Sequence, residues 1–200
     1  MRLVGAVMFL LLTGAAAGES QVTNGEFGYR LMPPDGFTDY PEGRAQKDVV
    51  DCWVEATPLS QNGSIVLCVQ RLHGTLGRKG MRQEDLPSSI QLVRFQWKGF
   101  NIDGVRSDTV QAGIPVIVLV SQVPLRREAV QLIVTGPRDQ DARLQAIMTS
   151  TLATLEGETN WLSRAERDER LGNIVGLVIG VAVALIGIRI WRKRRRAAAA

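Results

Sequence analysis

The side chains best suited to catalysis are one histidine and a few scattered carboxylates. His73 is the only histidine in the 200-residue chain, and no hydrolase motif joins it to Asp103, Asp108 or Glu128. A nucleophilic triad or a general acid–base pair needs such groups to converge in one cleft. A single histidine also excludes metal sites built from histidine clusters. The sequence therefore predicts no catalytic residue, no metal site and no cofactor.

Two cysteines lie in consecutive β-branched segments, Val49–Ala56 and Ser64–His73. The segments are separated by TPLSQNG, which supplies the Pro, Asn and Gly of a chain reversal and predicts a β-hairpin. A hairpin symmetric about Ser60 places Cys52 directly opposite Cys68, where an exported domain can hold a disulfide. A slip of one residue would put the two thiols on opposite faces of the hairpin. Both a disulfide and two buried free thiols are therefore consistent with the sequence.

A glycine-rich, basic segment follows the predicted hairpin. Gly74–Arg82 (GTLGRKGMR) combines three glycines with Arg78, Lys79 and Arg82, and this composition could cradle an anion. No Gly-Lys-Ser/Thr follows the glycines at the spacing that a phosphate-binding P-loop requires. We expect a mobile surface loop with solvated charges, and anion binding is the alternative.

Both ends of the chain carry membrane-targeting patterns. Residues 1–18 have one Arg, a short apolar core and a small-residue cleavage pattern near Ala17, which are typical of a secretory signal peptide. The uncharged run Leu171–Ile188 is long enough to cross most of the apolar core of a bilayer. The predicted organisation is a signal peptide at 1–18, a domain at 19–159, a helical stalk at 160–170, a single transmembrane helix at 171–191 and a basic tail at 192–200.

A basic cluster after the predicted span sets its orientation, because Lys and Arg that flank a span are retained on the cytoplasmic side. These topology determinants are Arg192, Lys193, Arg194, Arg195 and Arg196. The domain is therefore expected to be periplasmic or extracellular. Within the span, small residues recur every four positions, which predicts a face for helix dimerisation; the ordinary Gly and Ala content of membrane helices is the alternative. This face consists of Gly172, Gly176, Gly180 and Ala184.

The formal net charge of +4 does not indicate nucleic-acid binding. Seven of the 24 Lys and Arg fall in the signal peptide or at the cytoplasmic end of the span, which leaves 17 against 20 Asp and Glu. The exported part is mildly acidic and lacks the basic footprint that a phosphate backbone requires. The expected partners are the lipid bilayer and a protein, without nucleic acid.

The domain is expected to be α+β. Glu84–Gln96 begins with acidic residues and Pro87, a helix-entry pattern, and a strand from Gln91 is the alternative. Short connections then predict an antiparallel meander of Val105–Gln111, Ile114–Val123 and Ala129–Thr135. Because the centre of the second of these strands is apolar at every position, we expect helices on both faces of the sheet. A final amphipathic helix carries a core stripe of Leu144, Ile147, Met148, Thr151, Leu152 and Leu155.

The order of these elements resembles the PsbP-like sandwich domains. The shared features are the entry YRLMPPDGF, the hairpin, a strand that begins Gly113-Ile114-Pro115, the strand AVQLIVTG and a last helix of the form Leu-x-x-Ile-Met-x-x-x-Leu. The resemblance covers Phe27 to Leu155 and implies a central antiparallel sheet with helices on both faces. The group includes the extrinsic photosystem II subunit, a Ran-binding nuclear import factor and many bacterial envelope proteins, and its members mostly bind partners. No binding residue of the group carries over to a named position here.

Three functions are consistent with these patterns. The favoured one is a membrane-anchored, extracytoplasmic and non-enzymatic binding or assembly module for an envelope or membrane protein. The second is a carrier or sensor of a small amphiphile, which would need an apolar pocket between sheet and helix. A hydrolase is the least favoured, because no motif joins its titratable groups.

Overall fold

Antiparallel hairpins build most of the domain in the computed structural model, which describes residues 21–162. In chain order the elements are β1 (Val22–Asn24), β2 (Tyr29–Leu31), β3 (Phe37–Asp39), α1 (Pro41–Arg44), β4 (Val49–Glu55), β5 (Val66–Arg71), β6 (Ile90–Trp97), β7 (Phe100–Gln111), β8 (Ile114–Val123), β9 (Val130–Pro137), α2 (Asp141–Thr154) and β10 (Glu156–Gly157). Seven strands form one sheet in the order β3-β4-β5-β9-β8-β7-β6, and β1-β2-β10 form a small second sheet.

The hairpin of β4 and β5 has the predicted register. Cys52 pairs with Cys68, and Trp53 pairs with Leu67. The alternation of the two segments about the turn is enough to fix this pairing, because a slip would expose Trp53 and Leu67, which are both almost fully buried.

The predicted meander is confirmed, but the predicted helix at Glu84–Gln96 is wrong. A single 3-10 turn occupies Gln83–Asp85, and β6 then pairs with β7 through the two-residue turn Lys98-Gly99. Both turn residues have positive φ, 48° and 76°, as do Ala112 and Gly113 in the turn between β7 and β8. Such turns match the right-handed twist of paired strands, and they drive hairpin formation at both places.

Helix α2 covers one face of the large sheet, which we call the helix face. The predicted stripe of α2 is confirmed, since Leu144, Ile147, Met148, Thr151 and Leu152 are all buried. Leu144 lies against Gly136 of β9, where a Cβ would collide with its side chain. The fully buried residues of the central strands point to this side, for example Leu67, Leu119 and Val134, which pair in register across β5, β9 and β8.

The opposite face of the sheet, which we call the open face, differs from the expectation. In the described residues its helical cover is the single turn α1, whose Gly43 packs against the Cys52 side chain. Val118 and Val120 of β8 are only half-buried there, although they alternate with fully buried residues on the helix face. The central antiparallel sheet of an α+β domain is therefore confirmed, whereas helices on both faces are not confirmed in residues 21–162.

Several predictions fall outside the described residues. These are the signal peptide at 1–18, the stalk beyond residue 162, the transmembrane helix at 171–191 with its small-residue face, and the basic tail. Among residues 21–162, no helix combines the length and apolarity needed to cross a membrane.

Candidate functional site

His73 lies in a surface cluster of charged groups. Its side chain is 65% exposed, with Nε2 3.1 Å from Asp48 Oδ1 and Nδ1 4.0 Å from Glu128 Oε1. Arg71 Nη2 lies 2.8 Å from Glu128 Oε2, and this hydrogen bond holds the pKa of Glu128 below its ordinary value. The cluster joins the end of β5 to the β8–β9 connection, and among residues 21–162 no nucleophilic side chain is hydrogen-bonded to the imidazole.

The other two carboxylates lie apart from His73. Asp103 accepts a hydrogen bond from the backbone N–H of Met81 and lies 3.8 Å from Arg94, while Asp108 pairs with Arg106 at 3.0 Å. The structure thus brings only Glu128 of the three candidates to the histidine. No group of three or more potential metal ligands occurs in residues 21–162.

A buried tyrosine is the most perturbed titratable group, but its environment is structural. Tyr29 is 1% exposed, and its hydroxyl donates to Asp51. Desolvation by burial raises its pKa, and the Asp51 carboxylate adds to that effect. A phenol that stays protonated through the physiological range cannot act as a base. It fastens the small sheet to β4.

Cys52 and Cys68 face each other on the open face, and their sulfur atoms are joined in a disulfide. We predict that the protein carries this bridge in solution. In the chain-entropy model, closing a loop of this size stabilises the fold by about 3 kcal/mol. The double variant Cys52→Ala/Cys68→Ala should therefore lose about 3 kcal/mol of unfolding free energy in urea denaturation. A reductant should destabilise the wild type and leave the double variant unchanged; full alkylation of both thiols without reduction would contradict the prediction.

The charged side chains of the glycine-rich segment are exposed, as the sequence predicts, but Arg78 also contacts aromatic rings at the end of the sheet. The Arg78 guanidinium lies over Phe100 and Trp161, 5.3 Å and 5.7 Å from the ring centroids. It also donates to the carbonyl oxygen of Leu162, and Trp161 Nε1 donates to the carbonyl oxygen of Leu76 at 2.9 Å. Cation–π contacts and these hydrogen bonds fix the loop beside the last residues of the described chain.

Two clefts flank these residues, and we call them the exit clefts because the described chain ends at Leu162 between them. Their volumes are about 1280 and 560 Å³, and they share Lys98, Phe100 and Trp161. The larger cleft is also bordered by Arg126 and Arg127, and the smaller one by Arg78 and Lys79. No local motif predicted these clefts, because their basic residues come from four distant segments of the chain.

The open face carries an apolar patch that crosses six strands. The patch consists of half-buried residues, with the buried Cys52 and Val116 beside them: Val54, Val66, Cys68, Ile90, Leu92, Val105, Val118, Val120 and Ile133. Given the spacing of paired strands and of alternate residues, it measures roughly 24 Å by 13 Å. A row of polar side chains borders one side: Gln70, Gln131, Gln122, Asp103 and Arg94. Its size is within the range of the largest apolar patch on an ordinary monomer, and such patches are often sites of interaction.

The comparisons with known proteins found similar structures only. No protein-family model matches the chain, and no curated protein matches it. A protein of Bacteroides thetaiotaomicron VPI-5482 is 13% identical with a TM-score of 0.47 over 70% of this chain, which spans about half (48%) of that protein. LpqN of Mycobacterium tuberculosis, described as involved in cell envelope biogenesis, is 17% identical with a TM-score of 0.45 over 68% of this chain and 88% of LpqN.

A third similar structure belongs to the group that the sequence resembles. Cyanobacterial PsbP (CyanoP) of Synechocystis sp. PCC 6803 is 9% identical with a TM-score of 0.46, over 77% of this chain and 98% of CyanoP. Likenesses at this level carry no argument about function.

Proposed function

We propose that this protein is a membrane-tethered, extracytoplasmic binding module that holds a protein partner on its open face. The observation that carries the proposal is the apolar patch on a sheet whose other face is already covered by α2. The PsbP-like resemblance and the predicted signal peptide and span agree with it, because they describe an exported domain that binds partners.

The asymmetry of the sheet supports a docking role. A sheet buries an apolar face against a second layer of helices or strands, and on the helix face α2 supplies that layer. On the open face, Ile133, Val120 and Val105 are aligned in register across β9, β8 and β7. Strands that are apolar on both sides are characteristic of sheets covered on both faces. A partner would complete the sandwich.

The shape and polarity of the patch indicate the kind of partner. An α-helix of about 16 residues spans 24 Å, the estimated width of the patch. The glutamine row of Gln70, Gln131 and Gln122 offers donors and acceptors at one margin, as the polar rim of an interface does. We therefore propose an amphipathic helix of an envelope or membrane protein as the bound element.

The carrier function receives less support from the packing. Between sheet and α2, residues such as Leu132, Leu144 and Met148 are 0% exposed and fill the space in which an amphiphile would sit. The two exit clefts are bordered by charged side chains and suit an apolar chain poorly.

Two valines of the same strand provide a matched test. Val105 lies in the patch, whereas Val110 lies at the tip of the β7–β8 hairpin and is 65% exposed. A lysine at position 105 would place a charge in the interface, so Val105→Lys should reduce copurification of the partner with the tagged full chain at least tenfold, and Val110→Lys should leave it unchanged. Equal recovery with both variants, at equal thermal stability, would contradict docking on the open face.

A further inference from the structure

We infer that the exit clefts bind the anionic phosphate headgroups of the membrane to which the domain is tethered. The inference rests on the proposed tether but not on the partner that the open face binds. It is carried by the charge distribution, by four basic side chains that lack carboxylate partners within residues 21–162, by two aromatic rings and by the length of the linker.

Positive charge is concentrated at this end of an acidic domain. Residues 21–162 contain fourteen Lys and Arg against sixteen Asp and Glu, a net charge of −2 with neutral histidine. Seven of those basic residues and only three of the acidic ones border the exit clefts, a local net charge of +4. The rest of the domain therefore carries −6, and its field orients the clefts toward an anionic surface.

Part of this positive charge is uncompensated. Arg30, Arg94 and Arg126 each have a carboxylate within 4 Å, and these three pairs account for all the acidic residues of the clefts. In residues 21–162, Arg78, Lys79, Lys98 and Arg127 have no such partner.

The hydrogen bonds of three of these four groups go to backbone carbonyls. Arg78 donates to Leu162, Lys98 to Gly157 and Arg127 to Gly25. These contacts orient the cationic groups without neutralising them, which leaves them able to pair with phosphate oxygens.

Aromatic side chains accompany the basic groups. Phe100 and Trp161 meet edge to face with ring centroids 5.9 Å apart, and both are half-buried at the mouth of the clefts. Trp beside Lys and Arg is the composition found where proteins meet the headgroup layer, because an indole has both an apolar body and a polar N–H. A site for a free anion would not need the apolar rings.

The linker brings this end of the domain to the membrane. Only residues 163–170 separate Leu162 from the predicted span, and eight residues can reach at most about 29 Å in any conformation. The headgroup layer extends roughly 5–8 Å beyond the hydrocarbon core. The tether would therefore hold the exit clefts within reach of the headgroups, where each basic side chain near an anionic surface strengthens binding about fivefold.

The lysines of the domain provide the test with an internal control. The domain has three, of which Lys79 and Lys98 border the clefts and Lys47 lies in the connection between α1 and β4. Full-length protein would be placed in nanodiscs of phosphatidylcholine with or without phosphatidylglycerol, and amine labelling of each lysine would be read by mass spectrometry. We expect labelling of Lys79 and Lys98 to fall at least threefold relative to Lys47 when phosphatidylglycerol is present, and to recover in high salt.

Other outcomes overturn the inference. If Lys79 and Lys98 are labelled as readily as Lys47 in both kinds of nanodisc, anionic headgroups are not recognised. If Lys79 and Lys98 are protected equally with and without phosphatidylglycerol, anionic headgroups are again not recognised, and residues of the chain itself shield the two lysines. Protection by inorganic phosphate in neutral nanodiscs equal to that by phosphatidylglycerol would assign the clefts to a free anion. If the full chain does not remain in nanodiscs, the predicted transmembrane tether is refuted. Loss of partner binding in Val105→Lys tests the open face and leaves the inference about the exit clefts unaffected.

Discussion

Replacing Leu119 with alanine is expected to lower the unfolding free energy by about 2–5 kcal/mol, whereas Val120→Ala should lower it by less than about 1 kcal/mol. The two residues are neighbours on β8 and point to opposite faces. Leu119 is 1% exposed beneath α2, so truncation leaves a cavity. Val120 is half-buried on the open face, where truncation removes little packing. Urea denaturation of the full chain in detergent micelles, followed by tryptophan fluorescence, measures both values.

This pair of variants tests the premise of the proposed function. If the open face is uncovered in the free protein, the costs of the two truncations differ several-fold. Equal costs would mean that another part of the same chain buries the open face, and the face would then not be available to a partner.

Replacing Arg143 with methionine is expected to cost about 1–3 kcal/mol, because it removes the charged partner of the buried Glu55 carboxylate, while the Arg143 side chain itself is 33% exposed. Arg143 Nη2 of α2 lies 2.6 Å from Glu55 Oε1 of β4, and the Glu55 side chain is only 4% exposed. Its other oxygen accepts from the backbone N–H of Ile65 at 3.3 Å. Without Arg143, a carboxylate would be left in the interior with one donor, in the place where α2 is fastened to the sheet.

Two controls separate this burial effect from the simple loss of a charge. The double variant Glu55→Met/Arg143→Met should recover most of the stability, since apolar groups of similar volume replace a buried pair with little net change. Arg44→Met removes a surface pair with Asp39, whose atoms are 2.7 Å apart and well exposed, and should cost less than about 1 kcal/mol. An Arg143→Met cost as small as that of Arg44→Met would contradict the buried-pair interpretation.

Local patterns predicted much of the sheet. The register of Cys52 and Cys68 followed from alternation about one turn, and the stripe of α2 followed from helical periodicity. A helix is predicted over Glu84–Gln96 because its apolar residues Leu86, Ile90 and Val93 are spaced at helical intervals. From Ile90 to Trp97 the side chains also alternate between the two faces of a sheet, so the same segment fits a strand. This segment forms a strand because it pairs with β7 through the turn at Lys98-Gly99, and pairing between strands is not a local property of the sequence.

The two proposed binding surfaces depend on longer-range organisation. The apolar run Val116–Val120 was interpreted as a strand covered by this chain on both sides, but an apolar strand equally fits a face that a second molecule covers. The exit clefts escaped prediction because Arg78, Lys98 and Arg127 approach one another only after β6, the β8–β9 connection and the glycine-rich segment have folded together. Each of these segments alone has the composition of an ordinary charged loop.

Site-specific photocrosslinking in intact membranes tests the docking claim most directly. A benzophenone side chain would be introduced at Val105, Val120 or Ile133 of the open face, and at the exposed controls Leu59 and Val110. The proposal predicts one and the same protein adduct from all three open-face positions and none from the controls. Adducts that form equally at the controls, or adducts from the open face that contain only a second copy of this chain, would contradict a partner docked on the sheet.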